Sequence, residues 1–193
     1  MPLFIMSALI LTIMVLFDVL PAVCQELGLK KYELAFFLCS ISALYGFTVG
    51  FAPEFELNIA IIPVFICALI LCFIRNREIA AKVFLPSAVV GITLSVPYYL
   101  LENSELLVLL YAFAPLLIAL ATRNGIAGIS AAGMIPVFME IGRIVLDILE
   151  SGYGFVIYNS TIADIQLIGM LTAALCAELS AAVAKKKFES GRI

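Results

Sequence analysis

Residues 125–150 read GIAGISAAGMIPVFMEIGRIVLDILE. The body of this stretch, 126–149, exceeds the roughly 20 residues that an α-helix needs to cross about 30 Å of hydrocarbon. It is near-continuously apolar, whereas the strands of a membrane barrel alternate and are shorter. Glycine and alanine crowd its first half. Glu140, Arg143 and Asp147 stand in its second half at i, i+3 and i+7, so they share one helix face and Arg143 can bridge both carboxylates. An ionisable side chain at membrane depth costs a few kcal/mol and persists when it is paired or hydrated. The stretch therefore reads as a membrane span that carries its own ion pair.

Outward from it, six more apolar runs cover 3–23, 34–51, 59–74, 83–101, 106–121 and 163–183. Hydrophobic residues make up 64% of the 193, charged residues 13%, and the mean hydropathy is +1.18. A soluble domain is nearer half apolar and a quarter charged. The expected fold is all-α, a polytopic bundle of about seven spans forming one integral membrane domain over 1–193. No stretch remains for a separate soluble domain, so any activity must reside in the bundle. The first run lacks a basic segment before its apolar core and a clear cleavage site, and so does not read as a cleaved signal peptide.

The gaps between runs fix an orientation. Lys30 and Lys31 follow the first run, Arg75, Arg77 and Lys82 the third, Arg123 the fifth, and Lys185, Lys186, Lys187 and Arg192 the seventh. The other gaps carry acid only, from Glu54 and Glu56 through Glu102 and Glu105 to Glu150. Basic residues near span ends stay on the cytoplasmic side. That predicts the N-terminus outside and the C-terminus inside, in the plasma membrane of a prokaryote. Arg143 alone departs from the pattern.

Histidine is absent, which removes the commonest metal ligand and proton shuttle. Cys24, Cys39, Cys67, Cys72 and Cys176 form no CxxC pair and read as packing residues. No cofactor and no metal site are expected, and the net charge of -3 gives no footing for nucleic acid. With no tryptophan, Tyr32, Tyr98, Tyr99, Tyr153 and Tyr158 are left to form the interfacial belt. Prolines at 21, 63, 86, 97, 115 and 136 predict kinks in five helices. Gly46 and Gly50 form a Gly-xxx-Gly pair on the second run. The small residues of the sixth and seventh predict that these two helices pack closely and antiparallel. Residues 150–162 read as an outer connector able to act as a lid.

The remaining charges at depth are Asp18 on the first run and Asp164 and Glu178 on the seventh. Counted from the start of its helix, Asp164 falls at the outer depth of Asp147 and becomes a third partner for Arg143. Glu178 lies fourteen positions on, about 21 Å lower by the helical rise, at the inner depth of Asp18. The expected picture is an outer cluster of Glu140, Arg143, Asp147 and Asp164, and an inner acidic pair of Asp18 and Glu178.

Residues 57–63 (Leu-Asn-Ile-Ala-Ile-Ile-Pro), 141–149 with Asp147, and 163–169 (Ala-Asp-Ile-Gln-Leu-Ile-Gly) resemble a family of small prokaryotic membrane proteins of unknown function. The resemblance covers the C-terminal two thirds and implies a fold and a membrane location, without an activity. It differs in having Asn159-Ser160-Thr161 where that family is glycine-rich.

Three functions fit these residues. Carboxylates outnumber the one arginine, which favours a small carrier or channel-like protein linked to a cation or proton. The alternative is a membrane scaffold or assembly protein whose buried charges serve packing. A second alternative is an enzyme that pairs Asp147 with Asp164 as an intramembrane aspartyl protease does, although Thr161-Ile162-Ala163-Asp164 lacks the Gly-x-Gly-Asp signature. The expected partners are the lipid bilayer, a small cation or proton, and further copies of the chain.

Overall fold

The computed structural model describes residues 3–52, 55–75, 77–100, 105–151 and 160–190. In chain order the elements are α1 (Leu3–Leu16), α2 (Pro21–Leu27), α3 (Lys31–Leu44), β1 (Thr48–Ala52), β2 (Phe55–Asn58), α4 (Ile61–Ile70), α5 (Ala80–Leu100), α6 (Glu105–Thr122), α7 (Gly125–Ser151) and α8 (Ser160–Ser190). A π-helical turn, Leu71–Arg75, and a 3-10 turn, Arg77–Ile79, join α4 to α5. Among the described residues the fold is all-α apart from one short hairpin.

The described residues do not support the expected count of seven uninterrupted spans. Among the described residues, three helices are long and apolar enough to cross a membrane: Arg77–Leu100, Gly125–Glu150 and Thr161–Lys186. A fourth is counted if α1 and α2 are taken as one span bent by 93°. The bend has local causes. Asp18 adopts a left-handed φ of 56°, and Pro21 has no N–H with which to extend α1 but suits the first turn of a new helix. The second run also stops early. α3 ends at Leu44, and Thr48–Ala52 pairs antiparallel with Phe55–Asn58, with a register shift between Gly50 and Ala52. Gly46 and Gly50 thus do not share a helix face, because Gly50 lies in a strand. Buried Asn58 ties the hairpin to its neighbours: its Nδ2 donates to the Tyr45 carbonyl at 3.0 Å and its Oδ1 accepts from Ala60 N at 3.0 Å.

Of the prolines expected to kink helices, Pro21 stands at the 93° bend between α1 and α2. α5 runs on through Pro86 and Pro97, α6 through Pro115 and α7 through Pro136. Further breaks in the helices lie at the π and 3-10 turns between α4 and α5.

α7 is the hub and packs on α4, α5, α6 and α8. Every residue from 126 to 136 is buried, and the reason is small side chains. A Cβ built on Gly91 would stand 2.6 Å from the Ile135 carbonyl oxygen, and one on Gly142 2.7 Å from the Ser95 Cβ. Side chains at these positions would drive α5 off α7. In a bilayer, where lipid is as apolar as leucine, such close approach is a main source of helix association. α7 and α8 are antiparallel: Gln166 Nε2 donates to the Gly133 carbonyl at 2.9 Å, and Ala173 Cβ faces Gly128. The N-terminal part is looser. α3 packs chiefly on α1, and α1 lies along α8.

The contacts define two ends. The start of α1, Tyr45 after α3 and the start of α8 meet at one, through Phe4, Tyr45 and Asp164. α2, the Arg75 turn and the α6–α7 junction meet at the other, around Glu26, Arg75, Arg123 and Gly125.

Candidate functional site

Arg143 sits between its two helical neighbours. Its Nε and Nη2 donate to the two oxygens of Glu140, at 3.1 and 2.7 Å, and its Nη1 donates to Asp147 Oδ2 at 2.5 Å. The three side chains are 16%, 9% and 21% exposed, so the network lies within the bundle. The two-toothed arrangement on Glu140 is the strong form of a charge-assisted bond. One guanidinium faces two carboxylates, which leaves the triad with a net charge of -1. Close by, the Tyr99 hydroxyl donates to Glu150, joining the ends of α5 and α7.

Asp164 does not join this triad. From the Gln166–Gly133 and Ala173–Gly128 contacts, each step toward the start of α8 matches a step toward the end of α7. Asp164 is therefore level with residues near 136. Asp147 lies about ten residues, roughly 15 Å, farther out along α7. The expected shared depth is corrected because α7 projects well beyond the start of α8. Asp164 turns to α1 instead: its Oδ1 accepts from Phe4 N at 2.6 Å and from the Tyr45 hydroxyl at 3.5 Å, and the Phe4 and Tyr45 rings stack at 4.6 Å. The aspartyl pairing of Asp147 with Asp164 has no geometric basis here, since two carboxylates must be adjacent to share a proton.

The inner acidic pair is likewise two separate arrangements. Asp18 is an exposed partner of Lys31, with Nζ to Oδ2 2.8 Å. Glu178 Oε2 accepts from Ala22 N at 3.0 Å and Val23 N at 3.3 Å, in the first turn of α2. Thus Asp164 and Glu178 of α8 each hold the beginning of another helix. The first backbone N–H groups of a helix have no partner within it, and the helix dipole places partial positive charge there. A carboxylate satisfies both needs.

Sequence reasoning missed the far end of the bundle. Arg75 Nε donates to the Glu26 carbonyl at 3.0 Å, and Asn124 Oδ1 accepts from Ala127 N at 3.2 Å, closing the first turn of α7. Beside them lie a cavity of about 420 Å³ and an adjoining one of about 320 Å³. The available signal was Arg123-Asn124-Gly125, a basic residue before a capping residue and a glycine. Among the described residues no group of three or more His, Cys, Asp or Glu could hold a metal ion. The hydroxyls of Tyr111 and Ser130 and the Oε1 of Gln166 are buried and have no hydrogen-bond partner among the described residues. Of the expected lid, 150–162, residues 152–159 lie outside the described residues.

Comparison with protein-family models, with curated proteins and with solved structures finds no match to this chain.

Proposed function

We propose that this chain is a non-catalytic membrane scaffold or assembly protein whose buried charges serve the architecture of the bundle. One observation carries the reading: each acid expected at depth is engaged by the protein itself. Glu140 and Asp147 are held by Arg143, Asp164 by Phe4 N and Tyr45, and Glu178 by Ala22 N and Val23 N. Groups so engaged are poorly placed to bind and release a passenger. The charge alternation supports seven crossings of a prokaryotic plasma membrane, N-terminus out and C-terminus in. In that reading the short helices α3 and α4 cross with the help of flanking residues or local thinning of the bilayer.

The net charge of -1 on the α7 triad favours a second reading, a small carrier linked to a cation or proton. Purified protein in liposomes separates the two. Under imposed pH and cation gradients the scaffold reading expects no flux from wild type. Flux that is abolished in a folded Asp147→Asn variant would establish the carrier. A reporter fused after Gly191 is expected to behave as cytoplasmic; periplasmic behaviour overturns the orientation and leaves the flux result standing.

A further inference from the structure

We propose that the end of the bundle opposite Asp164 holds an anionic phospholipid, its phosphate between the guanidinium groups of Arg75 and Arg123 and an acyl chain in the groove between α6 and α8. Both arginines line the cavity of about 420 Å³. Among the described residues neither forms a salt bridge, and Arg75 gives only its Nε, to the Glu26 carbonyl. Glu26 lines the same cavity. Two arginines thus line it against the single carboxylate of Glu26, while Glu178 beside Glu26 is engaged by Ala22 N and Val23 N. Guanidinium forks match phosphate oxygens in geometry and charge, and basic pockets between membrane helices take anionic headgroups.

The adjoining cavity decides between a lipid and a free anion. It shares Arg123, Asn124, Gly125, Ala177 and Ser180 with the first and continues along Leu116, Ala119, Leu120 and Cys176. A basic chamber thus opens directly into an apolar one. Leu120, which lines it, is 75% exposed, so the apolar end lies open at the surface of the bundle. Inorganic phosphate would fill the first chamber alone, whereas a phospholipid fills both. The start of α7 is not needed for this argument, because Asn124 already closes its first turn.

The test uses full-length protein in neutral detergent, with thermal unfolding followed during titration with phosphatidylglycerol, phosphatidylcholine or inorganic phosphate. Phosphatidylglycerol is expected to raise the midpoint at concentrations where the other two do not. Arg123 has a left-handed φ of 52°, so Arg123→Gly relieves backbone strain and is expected to leave the lipid-free midpoint unchanged or higher. The same variant should weaken the phosphatidylglycerol response about tenfold, the usual scale for one charge-assisted contact. Arg75→Gln should do likewise. Cys176→Trp, at an exposed position in the groove, should weaken the response to phosphatidylglycerol alone. An equal response to the two lipids, an equal response to phosphate alone, or a wild-type response in Arg123→Gly overturns the proposal. None of these outcomes depends on whether the chain carries ions or on which face is cytoplasmic.

Discussion

On α7, Glu140 and Asp147 lie three residues before and four after Arg143, and one side chain serves both. On α8, Asp164 and Glu178 form no salt bridge among the described residues and accept backbone N–H groups from Phe4, Ala22 and Val23. The salt bridges of the first network lie within eight consecutive residues of one helix. The second exists only when α1 and α2 are docked. Buried charge on α7 therefore makes one helix acceptable to the membrane. Buried charge on α8 positions two other elements, and it does so at helix beginnings, where donors are otherwise unsatisfied.

This contrast is most easily broken at Arg143. Arg143→Ala leaves two carboxylates without a cation, and removing one member of a buried pair typically costs about 3–5 kcal/mol. The variant should be recovered in low yield and unfold early in detergent, and adding Glu140→Gln should restore part of the loss. Full stability in Arg143→Ala would show that the network contributes nothing.

Asp164→Ala should cost about 1–3 kcal/mol, the scale for a buried donor left without its acceptor, and Asp164→Asn less, because an amide oxygen remains. The loss should be local: hydrogen exchange should quicken at Phe4 and along α1 and be unchanged in α5 and α7. Combined with Arg143→Ala, the two effects should add within about 0.5 kcal/mol, as for separated sites. Strong coupling would restore Asp164 as a partner of Arg143. Glu178→Ala is an end-cap loss of about 0.5–2 kcal/mol, read out as faster exchange at Ala22 and Val23.

The smallest effect belongs to Lys31, an exposed ammonium whose pKa is raised by its hydrogen bond to Asp18. Because the folded value is raised, this contribution is complete below the ordinary lysine range. It fades as the pH climbs through the raised value. Asp18→Asn should remove that alkaline dependence and change little at neutral pH, in contrast to either buried set.

The Arg143 network was legible because it is a matter of spacing on one helix. Asp164 was misplaced because depth was counted from the start of its own helix, while α7 and α8 start and stop at different levels. Its true partner, Phe4 N, is a backbone donor, and backbone donors do not appear as residue types in a sequence. Hydropathy alone makes the second run a single helix. Thr48 and Val49, β-branched and close to Pro53, were the missed sign of a strand. The bend after α1 also had its signal in Asp18 and Pro21, outweighed by the apolar residues on either side. The basic chamber was hidden for a different reason: Arg75 and Arg123 are 48 positions apart, and each alone satisfies the rule that sets orientation.

The bond from Phe4 to Asp164 joins residues 160 positions apart. At a synthesis rate of about 5–20 residues per second, the acceptor is made roughly 8–30 s after the donor. For that interval α1 stands in the nascent chain with its first turn unanswered, held only by what was made soon after it. The N-terminal helix must therefore wait for the last helix before it can be fixed in place, and a chain interrupted before α8 would leave α1 and α2 without the carboxylates that seat them.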